Sequence, residues 1–301
     1  MSSVASLRQI RRRIRSVENT QKITRAMEMV AAAKLRRFQD FLESARPYTE
    51  GLTTLLNQLL GELPASYRHP FLAEKGDRSL PFSLLVVFTS DTGLCGTYNS
   101  DLEGAAQRWM QEGPDQKIRK IRFVFVGKHG AALLQKKSPE EPVLFSDLRV
   151  SRVDEILEGL RKTLEAAFLK GGAGQIHAVY TRMESLARFE PVTERLLPFE
   201  ARPFQNRPPG DGSGGDTLVE PDFKTVLDKL LPAFFEARLR FIFYHALLTE
   251  QIARMNAMRQ ATKNAKDMID ELTLLRNKAR QASITKEIIE IVSGSRAQKL
   301  K

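Results

Sequence analysis

The fold is decided by residues 1–46, MSSVASLRQIRRRIRSVENTQKITRAMEMVAAAKLRRFQDFLESAR, and by residues 233–293 near the other end of the chain. Neither stretch contains any of the 18 glycines or 14 prolines of the 301-residue sequence. Continuous α-helices of these lengths would extend roughly 70 and 90 Å, whereas a small domain is about 30 Å across. Helices that long cannot be buried inside a domain made from the same chain. The sequence therefore predicts a helical rod that carries a globular insert.

The composition, with 42% hydrophobic and 28% charged residues, is typical of a globular protein. No apolar run in the sequence is long enough for a membrane span, and the N-terminal segment lacks the apolar core of a secretory signal. We expect its Ser and Arg residues to belong to the rod and not to a cleaved presequence, because the helical pattern runs through them. The single cysteine, Cys95, allows no intramolecular disulfide and is typical of a reducing compartment.

The net charge of +11 is unevenly distributed. Residues 1–46 contain 11 Lys and Arg against 4 Asp and Glu, and residues 233–293 contain 10 against 7. Residues 294–301 add 3 basic residues and no acidic ones, while the middle of the chain holds 23 basic against 25 acidic residues. The rod is therefore basic and the insert slightly acidic, so we expect any acidic partner to bind the rod.

A coiled-coil seam runs along the first stretch, because suitable residues recur at alternating steps of three and four. Its positions are Leu7, Ile10, Ile14, Val17, Gln21, Thr24, Glu28, Ala31, Leu35, Phe38, Leu42 and Ala45. Near its polar middle, residues 26, 27 and 29–33 are apolar and surround most of the helix. This distribution indicates enclosure by more than one partner helix, with a locally thick coiled-coil core as the alternative.

The second stretch has a matching seam. Its positions are Leu227, Leu231, Phe234, Phe241, Leu248, Ile252 and Met255, then polar Arg259, Thr262 and Lys266, then Ile269 and Leu272. We expect His245, which interrupts this seam, to be a structural residue. The two seams predict an antiparallel coiled coil of an N-terminal helix (1–60) and a C-terminal helix (222–301). Because the second stretch is longer by about 15 residues, ~22 Å of single helix should extend beyond the pair.

Between the helices, short apolar segments alternate with helical patterns, which predicts a Rossmann-like α/β domain over residues 78–202. The predicted strands are 83–89, 121–126, 175–180 and 191–197, the last two as a hairpin. The predicted helices are 102–110, 129–136 and 153–169. Residues 203–221, rich in Gly and Pro, are predicted to link this domain back to the rod.

The turn after the first strand, residues 90–99, contains Gly93 and Gly96 where a phosphate-binding loop could lie. It lacks the spacing of a dinucleotide fingerprint and of a P-loop, so a plain tight turn is the preferred interpretation. We expect Cys95 to be a small buried residue and not a nucleophile. The four histidines have no metal-ligand spacing. The sequence thus predicts no catalytic residue, no cofactor site and no metal site.

Three segments carry a family resemblance. They are NTQKITRAMEMVAAAKLRR at 19–37, SDTGLCGTYNSDL at 90–102 and NKARQASITKEIIEIVSG at 277–294. In this order they closely resemble the gamma subunit of F-type ATP synthase, of the bacterial type. The resemblance implies a central rotary shaft inside a ring of alpha and beta subunits, with the α/β domain at the base beside the epsilon subunit and the membrane rotor ring. It also implies a non-catalytic, peripheral membrane subunit at the cytoplasmic face of the bacterial plasma membrane.

The same resemblance implies roles for five residues. Met27 is similar to the shaft methionine that faces the lever loop of a beta subunit, with coiled-coil packing as the alternative. Arg254, in ARMNAM, is similar to the arginine that approaches the acidic residues of that loop, with a solvated charge as the alternative. Arg280, Gln281 and Thr285, in ARQASIT, are similar to the residues near the upper bearing that contact alpha and beta subunits.

Two other classes of function remain open at this point. A basic coiled-coil nucleic-acid-binding protein would explain the charge, although the mostly apolar segment 26–33 favours enclosure by protein over contact with a phosphate backbone. A nucleotide-dependent enzyme built on the α/β domain is the other class. We expect neither nucleic acid nor nucleotide to bind.

Overall fold

A computed structural model of the chain describes residues 7–61, 67–72, 82–112, 120–134, 141–185, 188–199 and 219–299. The chain divides into two compact units. The first unit contains the chain up to Ala32 and from Arg254 onward, and the second contains residues 33–253. The predicted linker, residues 203–221, lies outside the described residues except for its last three positions.

The chain forms two long terminal helices and an α/β insert. In chain order the elements are α1 (Leu7–Gly61), β1 (Phe82–Phe88), α2 (Tyr98–Glu112), β2 (Ile121–Val126), α3 (Lys128–Leu134), β3 (Val143–Phe145), α4 (Val153–Leu169), β4 (Ala173–Ser185), β5 (Arg188–Leu197) and α5 (Phe223–Lys299). Asp222 begins α5 by accepting the backbone N–H of Thr225 at 2.8 Å, as an N-cap does. Both long helices continue through a proline, Pro47 in α1 and Pro232 in α5. A proline removes one helical hydrogen bond, so the remaining bonds and the packing sustain each helix.

The first unit is the antiparallel pair that the two seams predict. Thr24 lies opposite Thr262, with 2.8 Å between their hydroxyl oxygens, and Glu28 lies opposite Arg259. A later residue of α1 therefore meets an earlier residue of α5. Every predicted seam position of α1 is buried or half-buried, including the three polar ones. The polar residues of α1 thus meet polar residues of α5, so they do not mark the end of pairing. The predicted seam of α5 is wrong at Arg259 and Lys266, which are exposed, because the neighbouring Met258 and Ala265 are the buried residues there.

The second unit is built on a five-stranded sheet in the order β3-β2-β1-β4-β5. The pairs β1–β2, β1–β4 and β2–β3 are parallel, and β4–β5 is antiparallel. Side chains alternate between the two faces of a strand. Leu85, Val87, Phe123 and Phe125 share a buried core with Leu102 and other residues of α2. The sequence therefore places α2 on one face of the sheet.

Helix α5 contacts both the sheet and α1 within the second unit. Phe243 packs edge-on against Phe88 of β1, with 5.9 Å between ring centroids. Arg238 pairs with the carboxylate of Glu194 in β5, and that carboxylate also accepts the hydroxyl of Tyr180 at 2.7 Å. Tyr244 stacks on Phe41 of α1 at 5.3 Å. Residues 242–253 of α5 are consequently buried on nearly all sides.

Several elements of the insert differ from the sequence prediction. Helix α2 begins at Tyr98, four residues before its predicted start, and ends at Glu112. Strands β4 and β5 are longer than predicted, because their antiparallel pairing continues to Ser185 and Arg188. Strand β3 was not predicted at all. It has three residues and pairs with β2 from Val124 to Val126. A segment that short has no periodic pattern of its own, so only its position beside β2 makes it a strand.

Candidate partner-contact surface

An exposed apolar ridge lies on α1 in the first unit. Ile23, Met27 and Val30 are spaced at i, i+4 and i+7, so they share one side of the helix. Ile23 is 61% exposed, Val30 is 56% exposed and Met27 is half-buried. The buried seam residues Thr24 and Ala31 lie on the neighbouring side, toward α5. The ridge is therefore not the coiled-coil core. Met27 lies on the ridge, next to the seam, and is not itself a seam position.

A hydrogen bond between Thr24 and Thr262 joins α1 to α5 next to this ridge. Each hydroxyl also lies near a carbonyl of its own helix, at 3.1 Å from Gln21 for Thr24 and at 2.8 Å from Met258 for Thr262. Two hydroxyl groups have only two protons for these three contacts. One hydroxyl therefore donates across the pair while the other donates to its own helix.

An ion pair bridges the helices one turn further along α1. Arg259 Nε donates to Glu28 Oε1 at 3.0 Å. The Arg259 side chain is 65% exposed and the Glu28 side chain 23% exposed. The pair holds a largely exposed cation against α1. Sequence reasoning had named both residues only as polar seam positions, although a matching acid and base at corresponding places in two seams could have indicated the pair.

Arg254 lies in a different environment from the one expected of a lever-contact residue. Only 7% of its surface is exposed. The alternative of a solvated charge is therefore wrong for the chain by itself. Its role toward a partner stays a prediction.

The C-terminal segment of α5 is uncovered. Every residue from Arg280 to Ser295 is exposed, including Gln281 and Thr285. The Thr285 hydroxyl donates to the carbonyl of Gln281 at 3.0 Å, so it is bound within its own helix. The exposed large apolar residues of this segment are Ile284, Ile288, Ile289, Ile291 and Val292. An isolated soluble helix would not keep such a set in water, so this segment has the composition of an interface.

The turn after β1 is held by the chain's own side chains. Asp91 accepts the backbone N–H groups of Lys128, at 3.2 Å, and of Leu148, at 2.6 Å. Lys128 begins α3, so the Asp91 carboxylate accepts the first backbone N–H of that helix. A phosphate approaching this turn would be repelled by the carboxylate.

Cys95 and His245 are packed residues. Cys95 is buried, and its Sγ lies 3.3 Å from the donating Asn99 side-chain amide. The ring of His245 lies 4.4 Å from that of Phe241, and burial lowers the pKa of His245 below its ordinary value. Within the described ranges, no group of His, Cys, Asp and Glu is arranged to hold a metal ion.

Comparison with known proteins identifies the family. The family described as ATP synthase matches residues 6–297. The ATP synthase gamma chain of Dechloromonas aromatica (strain RCB) is 39% identical over 295 residues, which cover 96% of this chain and 98% of that relative. The gamma chain of Azoarcus sp. (strain BH72) is 37% identical over 294 residues, which cover 98% of this chain and 100% of that relative. The chain belongs to the ATP synthase gamma-chain family.

Solved ATP synthase structures share the fold. The central stalk and c-ring structure of mitochondrial ATP synthase from Tetrahymena thermophila contains a chain with a TM-score of 0.54 at 20% identity, covering 79% of this chain and 99% of that one. A structure of Euglena gracilis mitochondrial ATP synthase in rotational state 3 contains a chain with a TM-score of 0.61 at 18% identity. The match covers 97% of this chain and 94% of that one.

As a gamma chain, this protein is a subunit of ATP synthase and functions in ATP synthesis. None of the relatives and structures named above is described as binding nucleic acid, so that alternative has no support. Along the described helices, no stretch is both long and apolar enough to cross a membrane.

Proposed function

We propose that this chain, the central shaft of ATP synthase, couples ion-driven rotation to ATP synthesis and hydrolysis through asymmetric contacts with a ring of alpha and beta subunits. The chain itself would be non-catalytic. Its α/β base domain, residues 78–202, would lie beside the epsilon subunit and the membrane rotor ring. The chain would be a peripheral membrane protein at the cytoplasmic face of the bacterial plasma membrane.

The exposed apolar side chains of the two long helices support this proposal. Ile23 and Val30 on α1, and Ile288 and Ile291 on α5, are each more than half exposed in the chain alone. Burying such side chains against a partner would be favourable by roughly 25 cal/mol per Å² of apolar surface. An enclosing ring would cover them all, whereas a single partner helix would leave part of the surface in water.

The five residues named by the family resemblance are assigned within this arrangement. Met27, on the apolar ridge, would face the lever loop of a beta subunit. Arg254, which is buried in the chain by itself, would approach the acidic residues of that loop. Arg280, Gln281 and Thr285, in the uncovered segment of α5, would contact the loops of the upper bearing.

The mechanism requires a shaft whose sides differ. A ring with three equivalent catalytic sites would meet the apolar ridge at one site and a different side of the shaft at each of the others. Changing the conformational ratio of one site from 1:99 to 99:1 takes about 5.5 kcal/mol of differential interaction. An exposed ion pair contributes about 0 to 1 kcal/mol. The coupling must therefore be spread over many contacts.

Met27→Lys tests the contact at the ridge. A cation there would either bind an acidic lever too strongly or lose hydration in a crowded interface. We expect proton pumping by membrane vesicles to fall much more than ATP hydrolysis does. Met27→Leu, which keeps an apolar side chain of similar volume, is the control and should leave both activities unchanged. An unchanged ratio of pumping to hydrolysis in the lysine variant would refute the assignment of Met27.

Assembly is tested separately. The chain should co-purify from bacterial membranes with the alpha and beta subunits in one complex. Purification of the chain free of both subunits, from membranes in which they are abundant, would contradict the proposed function.

A further inference from the structure

We propose that Arg259 is a docking cation for a carboxylate of the subunit that encloses the shaft, and that Glu28 is the positioning residue that orients it. This inference rests on the proposed function, because it requires the shaft to be enclosed by another subunit. It adds a contact on α5 to those that the sequence motifs indicate.

The hydrogen-bond geometry leaves one edge of the guanidinium available. Arg259 reaches Glu28 only through Nε, at 3.0 Å. Within the described residues, the two terminal nitrogens of Arg259 have no ion pair of their own. A guanidinium offers five donors in a fixed plane, and its outer edge matches the two oxygens of a carboxylate. The 65% exposure of the side chain makes that edge accessible.

Glu28 restricts where this cation can lie. It is largely buried and belongs to the same helix face as Thr24, whose contact with Thr262 joins α1 to α5. An arginine held at one end loses less conformational freedom when it binds a partner than a freely moving one. Glu28 thus pre-orients Arg259 without neutralising its outer edge.

The surroundings favour a protein carboxylate over a phosphate. On the same turns of α1 that hold Glu28, the exposed side chains of Ile23 and Val30 are apolar, whereas a phosphate backbone is bound by clustered cations. The negative charge of Glu28 would also repel a doubly charged phosphate monoester more than a singly charged carboxylate. A single acidic side chain of an enclosing protein fits both features.

Chemical cross-linking tests the contact in the intact ATP synthase complex. Arg259→Lys places a primary amine at the site, and a carbodiimide joins an amine to a carboxylate only at contact distance. We expect mass spectrometry to find residue 259 linked to an Asp or Glu of an alpha or beta subunit. A link to Glu28 alone, or no link at residue 259, would overturn the inference.

A photo-reactive group at Ile23 separates this result from the proposed function. If that group labels an alpha or beta subunit while residue 259 stays unlinked, the shaft is enclosed and only the inference about Arg259 is wrong. If neither position links to another subunit, the enclosure fails as well, and both proposals are wrong.

Function gives a second test that does not depend on lysine replacing arginine. Arg259→Gln should lower the ratio of pumping to hydrolysis by up to about fivefold, the size of one exposed ion pair, and the deficit should narrow as ionic strength rises. Glu28→Ala should give a smaller loss with the same salt dependence. The double variant should match Arg259→Gln alone, because Glu28 acts through Arg259.

The matched control is Arg13→Gln, which removes an exposed arginine of α1 and should leave the ratio unchanged. Additive losses in the double variant would show that Glu28 does not act through Arg259. An equal loss in the Arg13 variant would show a general charge effect in place of a docking contact. Either result would overturn the inference.

Discussion

His177 lies in β4 with 4% of its surface exposed, and its ring is 4.7 Å from that of Trp109. Burial is the main cause that lowers the pKa of His177 to about 4, and the positive charge of Arg195 lowers it further. The folded chain therefore favours the neutral imidazole. Protonation favours the unfolded chain, in which the pKa is near 6.5.

We expect this histidine to make the free energy of unfolding pH-dependent. Its contribution is fully present above pH 6.5 and is lost as the pH falls toward 4, by up to about 3 kcal/mol. Urea unfolding at a series of pH values, followed by the fluorescence of the single tryptophan, measures it. The free energy of unfolding of His177→Asn should change less over the same pH range. An equal pH dependence in both proteins would contradict the prediction.

Arg254→Ala is expected to weaken coupled ATP synthesis without abolishing it. The physical reason is that the several kcal/mol needed for coupling are distributed over many contacts. Synthesis by membrane vesicles, normalised to the amount of assembled complex, is the measurement. A complete loss of synthesis with normal assembly would count against distributed contact.

Between elements, the Thr24–Thr262 pair is a polar contact inside a coiled coil. Because Thr262 can donate to the Met258 carbonyl instead, Thr24→Val leaves no hydroxyl proton without an acceptor. We expect each single valine variant to lose no more than about 1.5 kcal/mol of unfolding free energy. A double-mutant cycle by urea unfolding should give a coupling of about 0.5 to 1.5 kcal/mol. Strictly additive losses would mean that the two hydroxyls do not interact.

The turn that joins β2 to α3 depends on Gly127. Its φ is +98°, and a Cβ at this position would lie 2.2 Å from the carbonyl oxygen of Thr89. Gly127→Ala should therefore destabilise the second unit by more than about 2 kcal/mol. At Gly104 in α2, a Cβ would meet no other atom within 4 Å, so Gly104→Ala should stabilise by up to about 1 kcal/mol. Thermal unfolding should show a lower Tm for Gly127→Ala and a higher Tm for Gly104→Ala than for the unchanged chain.

How well an element was predicted depended on how local its determinants are. β2 and α4 have the predicted bounds, because a run of β-branched and aromatic residues and a helical period are visible within the segment. The seam of α1 was correct at each position for the same reason. β3 was missed because its strand conformation depends on its pairing with β2, which is distant in sequence.

For the whole molecule, the exposed segment of α5 predicts a difference between the free and the assembled chain. Arg280 and Lys286 are trypsin sites on a helix that the rest of the described chain leaves uncovered. We expect trypsin to cleave at these sites in the purified chain and to cleave much more slowly in the complex, where partners would bury Ile284 and Ile288. Peptide mapping over time measures both rates. Equal rates would contradict burial of this segment.

The sequence by itself determined the two long helices, the seam of α1, the basic charge of the rod and the family. These properties depend on residue spacing, on the positions of Gly and Pro, and on motifs that can be recognised within one segment. The tertiary structure decided which polar groups meet: Thr24 with Thr262, Glu28 with Arg259, and Asp91 with the start of α3. It also decided that Arg254 is buried while Arg259 is exposed. The reason is that a polar side chain finds its partner among residues distant in the chain, and only the folded arrangement brings those residues together.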